Sequence, residues 1–113
     1  LIAIIVISTF ALIYALAPSP IKMQDNSQEI VTIAEAQAII EKHCVSCHAA
    51  EPANKAFAIA PNGIMLDTKE KIIAHKNQIY QQSVLSKAMP LINNTNMTDD
   101  ERAKLGVWIE ANQ

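Results

Sequence analysis

Cys44-Val45-Ser46-Cys47-His48 sets two thiols three residues apart and puts a histidine directly behind the second. That spacing is the one used for c-type haem attachment. Positions i and i+3 share one face of a helical turn, so both thiols can form thioethers to the vinyl groups of one porphyrin. His48, four residues after Cys44, is directed to the same face and under the ring, as the proximal ligand to iron. The pentapeptide therefore predicts one covalent haem c, with Cys44 and Cys47 as anchors.

Working outward, Thr32-Ile33-Ala34-Glu35 has the form of a helix-capping box. Behind it Ile33, Ala36, Ile40 and Cys44 recur at helical spacing, so a first helix leads its apolar stripe into the haem motif. The stretch 49–66 is punctuated by Pro52, Pro61 and Gly63 and reads as irregular. Asp67 and Thr68 open a second helix running toward Ser83, with Ile72, Ile73, Ile79 and Tyr80 buried. Met89-Pro90 ends it, because a residue before proline is pushed out of the α region. Thr98-Asp99-Asp100-Glu101 is a second capping box. The helix behind it carries Leu105, Trp108 and Ile109 on one face, and Gly106 allows a close approach, expected from the first helix near Ala36.

Iron in such a site takes a sixth ligand from far along the chain, and methionine is the choice that raises the potential. Met89 is the favoured candidate, with Met97 and Met65 as alternatives; Met23 lies in the linker. His43 and His75 are expected on the surface. No close pair of acids suggests hydrolysis, and Ser46 has no base to activate it. A zinc or thiol-redox module is the rival from another class, but two cysteines and one adjacent histidine make an incomplete zinc set.

The first 21 residues carry no charge, so all 9 Lys+Arg and 11 Asp+Glu fall behind them. Residues 1–17 are apolar apart from Ser8, Thr9 and Tyr14, and are expected to form a transmembrane helix at the short end of the usual length. Ala15-Leu16-Ala17 also has the look of a signal cleavage site, but Pro18 is a poor residue behind a cut. Residues 18–31 read as a linker and 32–113 as the haem domain. A start at Leu1 rather than Met leads to the expectation of a longer or processed protein. The net charge of −2 and the absence of a basic stripe argue against nucleic acid as a partner. Covalent haem with an anchor points to a bacterial inner membrane, the haem domain facing the periplasm.

The order of haem motif, connecting helix, Met-Pro and C-terminal helix with Trp resembles a class I cytochrome c: all-α, three main helices around one covalent haem. A closer likeness lies in His48-Ala49-Ala50-Glu51-Pro52, in residues 60–68 (APNGIMLDT), in Ala88-Met89-Pro90-Leu91 and in Met97-Thr98-Asp99-Asp100-Glu101-Arg102. These strings resemble the C-terminal cytochrome c domain of membrane-bound bacterial urate oxidases. The resemblance implies Cys44 and Cys47 as thioether anchors, His48 as proximal and Met89 as distal ligand. It also implies Pro61, with Pro52 as alternative, as donor of the carbonyl that accepts the second N–H of His48. Residues 1–17 would be the last helix of a membrane domain, and electrons from urate oxidation would pass to this haem without making peroxide. The oxidising part would lie upstream, so the chain alone is an electron carrier and the whole protein an oxidoreductase. Ile92, Asn94 and Asn96 depart from the resemblance, standing where smaller residues are expected. The alternative is a free-standing anchored cytochrome c, subunit or donor of a respiratory oxidase or reductase.

Overall fold

The computed structural model describes residues 1–16 and 29–113, which form helices, turns and loops with no strand. The first helix, α1 (Ile2–Leu16), has no buried side chain. Its 15 residues rise about 22 Å, against roughly 30 Å of bilayer hydrocarbon. No helix among the described residues is long and apolar enough to cross a membrane, so the spanning helix expected at 1–17 is not supported at this length. Residues 18–28 of the expected linker, with Met23, lie outside the described residues, as does Ala17.

The haem-motif helix, α2 (Ile33–His43), begins as the capping box requires. The Thr32 hydroxyl accepts from the Glu35 N–H at 3.2 Å, and the Glu35 carboxylate accepts from the Thr32 N–H at 2.8 Å. The C-terminal helix, named α5 below, spans Asp99–Ala111 and repeats the arrangement with Thr98 and Glu101, at 3.1 and 2.9 Å. Its three acidic residues in the first turn suit the positive end of the helix dipole. α2 packs on this helix. Ile40, Ile72, Leu105 and Ile109 are the largest fully buried side chains, so the core lies where the outer helices meet the connecting segment.

That connecting segment is not one continuous helix. It divides into α3 (Lys69–Ala74), capped by Thr68, α4 (Lys76–Ile79) and a π-wound stretch over Tyr80–Leu85. The break falls at His75, with φ −108° and ψ 14°. Of the expected buried residues, Ile72 and Ile79 are in the core, Tyr80 is half-buried, and Ile73 points outward. The π winding brings Val84 and Tyr80 against α5. A Cβ on Gly106 would stand 3.2 Å from Val84 Cγ1 and 3.9 Å from Tyr80 Cε2. The close approach at Gly106 is thus made by the π-wound stretch, not by α2 as the spacing had suggested.

The chain leaves the π turn through Lys87, at φ 56°, and crosses to Met89 and Pro90. The following turn, Leu91–Asn93, holds Ile92 at φ 50° and Asn93 at φ 49°, and Asn96 follows at φ 57°. Asparagine tolerates this left-handed region; a β-branched residue does so at a cost of about 1–2 kcal/mol. Against the chain's own residues Ile92 is 92% exposed, so packing within the protein recovers little of that. Replacing Ile92 by Gly is therefore expected to raise the unfolding free energy of the haem-loaded protein by about 0.5–1 kcal/mol, net of glycine's extra entropy. A urea titration in which Ile92→Gly is equal to or weaker than the wild type would show that this backbone is not strained.

Candidate functional site

The C-terminus of α2 does not unwind at once. The Cys44 N–H bonds to the Ile40 carbonyl at 2.8 Å, and the N–H groups of Cys47 and His48 bond to the Cys44 carbonyl at 3.2 and 2.9 Å. This turn holds Cys44, Cys47 and His48 on one surface. The two cysteines form no disulfide with each other; Cys44 is buried and Cys47 half-buried. Burial pushes the Cys44 thiol up to about 12, with Cys47 a smaller cause in the same direction. Asn54 donates from Nδ2 to Cys47 Sγ at 3.4 Å, while its own Oδ1 accepts from the Ala56 N–H. The loop after the motif is thereby tied back to the second thiol.

His48 Nδ1 lies 2.8 Å from the Ile64 carbonyl oxygen. A carbonyl can only accept, so Nδ1 carries the proton and the Nε2 lone pair is left for a metal. The acceptor is Ile64, not Pro61 or Pro52. The Pro61 carbonyl is engaged inside its own tight turn, where it accepts from the Ile64 N–H at 3.1 Å. Asn62 and Gly63 turn through φ 56° and 69°. The chain then returns so that the Leu66 N–H reaches the His48 carbonyl at 2.7 Å.

Facing these residues is an apolar cleft made of two hollows. One, of 390 Å³, is bounded by Phe57, Pro90, Leu91 and Ile92; the other, of 240 Å³, by Ile64, Leu66 and Ile79. Cys44, His48, Pro61 and Met89 line both. Among the described residues no Asp, Glu, Lys or Arg lines either hollow. An apolar planar ring fits this lining: two thiols stand at its edge, and an imidazole with a free Nε2 and a thioether share the same space.

Of the three methionine candidates only Met89 lines the cleft. Met97 is buried in the core, with its N–H and carbonyl both bonded to the Asn93 side chain. Met65 is half-buried, and its sulfur lies 3.8 Å from Lys71 Nζ. Met89 is held through its backbone: its N–H donates to the Gln82 carbonyl at 2.8 Å, and its carbonyl accepts from Arg102 Nη1 at 2.8 Å.

Two residues behave differently from their sequence context. His43, expected on the surface, is buried. Its Nε2 lies 2.8 Å from the Glu101 carboxylate and its Nδ1 lies 2.8 Å from Thr95 Oγ1, so it bridges α2, α5 and the loop after Met89. Arg102, for which the sequence carries no burial signal, is 5% exposed inside a helical turn rich in acids. Both are buried by packing between remote segments, which local spacing does not register. His75 is half-buried, and its Nδ1 is buried without a partner among the described residues.

The family described as "Cytochrome C oxidase, cbb3-type, subunit III" has a model that matches residues 31–109, well over half of the chain. The chain therefore belongs to this family and contains a class I cytochrome c domain, all-helical where described. It carries one covalent haem c and serves haem-based electron transfer. No curated protein and no solved structure matches the chain.

Glu101 joins the helix cap to the buried histidine, and its environment gives it a pH dependence. The Thr98 N–H holds its carboxyl down from 4.5 to about 2, and Lys42 and His43 act in the same direction against the opposing effect of burial. A depressed carboxylate contributes stability above its unfolded value, and this is lost as pH falls through the folded one. Glu101→Gln is expected to cost about 1–2 kcal/mol at pH 7. The gap between variant and wild type should narrow between pH 4.5 and 2 in denaturant unfolding at stepped pH. A gap that stays constant across that window would refute the assignment.

Proposed function

We propose that this cytochrome c domain is a one-electron carrier held at a membrane, with Cys44 and Cys47 as thioether anchors, His48 as proximal ligand and Met89 as distal ligand. The observation that carries this reading is the apolar cleft, shared by the free Nε2 of His48 and the Met89 thioether. When bound, the haem supplies an iron that accepts and releases one electron. The protein's own task would be to hold His48 and Met89 toward the cleft and keep the surroundings rigid, so that little reorganises when the charge changes. Ile64 fixes the His48 ring through its carbonyl, and Gln82 and Arg102 hold the Met89 backbone on both sides.

For the electron source, the strings around His48, residues 60–68 and Met89 favour an upstream membrane domain that oxidises urate. In this reading the whole protein is an oxidoreductase of purine degradation. The family's name favours a second reading, in which the domain serves a respiratory oxidase as subunit or donor. In both, the uncharged residues 1–21 belong to the membrane attachment, at a bacterial inner membrane with the haem domain on the periplasmic side. The complete reading frame separates them: several further membrane helices before Leu1 support the first, a single membrane helix in the whole frame the second.

Met89→Ala is expected to keep the covalent haem, abolish the Met–Fe(III) charge-transfer band and lower the reduction potential. If the band survives the substitution, Met89 is not the ligand. A purified protein whose haem is extracted by acid acetone would remove Cys44 and Cys47 from their role.

A further inference from the structure

Arg102 is a buried guanidinium with no carboxylate partner among the described residues. Nη1 donates to the Ser83 carbonyl at 2.6 Å and to the Met89 carbonyl at 2.8 Å; Nη2 reaches Asn93 Oδ1 at 3.4 Å. The acids beside it on α5 are engaged elsewhere: Asp99 with Lys87, Asp100 with Lys104, Glu101 with Lys42 and His43. One planar fork thus joins the π-wound stretch, the methionine and the turn behind it. An ammonium group, a point charge, lacks the planar fork that such bridging uses.

We propose that Arg102 is the positioning residue for the sixth ligand, and that its buried charge, not balanced by a carboxylate, raises the reduction potential of the site. The proposal rests on Met89 as distal ligand. Ser83, buried inside the π-wound stretch, supplies a fixed carbonyl. Arg102 refers the Met89 backbone to that fixed point and so limits how far the thioether can swing from the cleft. The positive charge has a second effect. Beside Met89 and away from water it disfavours the more positive ferric state, which moves the potential upward. Positioning needs the fork, whereas the shift in potential needs only the charge, so the two parts separate by substitution.

The test uses the haem-loaded protein, with the charge-transfer band, the spectroelectrochemical potential and the imidazole affinity of the ferric form as readouts. Arg102→Gln should lower the potential, weaken the band and tighten imidazole binding about tenfold, because the Met89 loop yields more easily. Arg102→Lys should also tighten imidazole binding while holding a potential closer to the wild type. Wild-type imidazole affinity in both variants would overturn positioning; equal potentials in Gln, Lys and wild type would overturn the charge effect. If Arg102→Gln does not load haem, Arg102→Lys decides positioning by its imidazole affinity, and Arg102→Met at the same position supplies the neutral comparison. Met89→Ala run alongside separates the two levels. A band surviving there removes the ligand assignment itself, whereas a band lost there with unchanged Arg102 variants removes only this proposal.

Discussion

The hydrogen bond from His48 Nδ1 to the Ile64 carbonyl is the constraint on which the rest of the domain depends. It does two things. It fixes the imidazole tautomer, leaving Nε2 unprotonated and aimed away from the loop. It also requires the chain after the motif to turn back within sixteen residues and present a carbonyl at a defined place. The Pro61–Gly63 turn, the left-handed Asn62 and the return bond from Leu66 to His48 serve that requirement. α3 then starts at Lys69, where Asp67 accepts from the Ala50 N–H and ties the helix start back to the motif.

The opposite side of the cleft is organised from α5. Its first turn combines several tasks in consecutive residues: Thr98 and Glu101 cap the helix, Glu101 receives Lys42 and His43 from α2, and Arg102 holds the Met89 segment. The helix that packs against the motif helix therefore also carries the group that fixes the methionine. A shift of α5 along α2 would move both walls of the cleft, so packing of the outer helices and the shape of the cleft are coupled through a few polar side chains.

Whatever could be read from the sequence was encoded at short range. Thr32 with Glu35 and Thr98 with Glu101 act within one helical turn, and the thiols and histidine act within five residues, so both helix starts and the haem motif were legible. Met89 could be favoured because the proline beside it ends the connecting segment. Features set by distant packing were not legible. His43 looks like any polar residue at a helix end until Thr95 and Glu101 enclose it. Arg102 carries no burial signal until the Ser83 and Met89 carbonyls converge on it. The π winding at Tyr80–Leu85 has no proline or glycine to announce it, and it redirected the close contact at Gly106 from α2 to Val84. The choice of Ile64 over Pro61 turned on which carbonyl the local turn had already used.

These two kinds of residue divide the core into parts with different demands. Ile40, Ile72, Leu105 and Ile109 are fully enclosed by one another's helices and form a core that the chain completes itself. Cys44, Leu66 and Ile79 are also buried, yet they border the cleft, where packing against an apolar ring supplies dispersion contacts on the second side. Beyond α1 the chain has only Phe57, Tyr80 and Trp108 as aromatic residues, and of these only Phe57 lines the cleft. A lining this poor in large side chains leaves the haem as the main filler between the motif and the methionine loop. A group that binds only the folded state adds its binding free energy to stability. A ring held in this cleft would therefore join the motif side to the methionine loop as well as serve electron transfer.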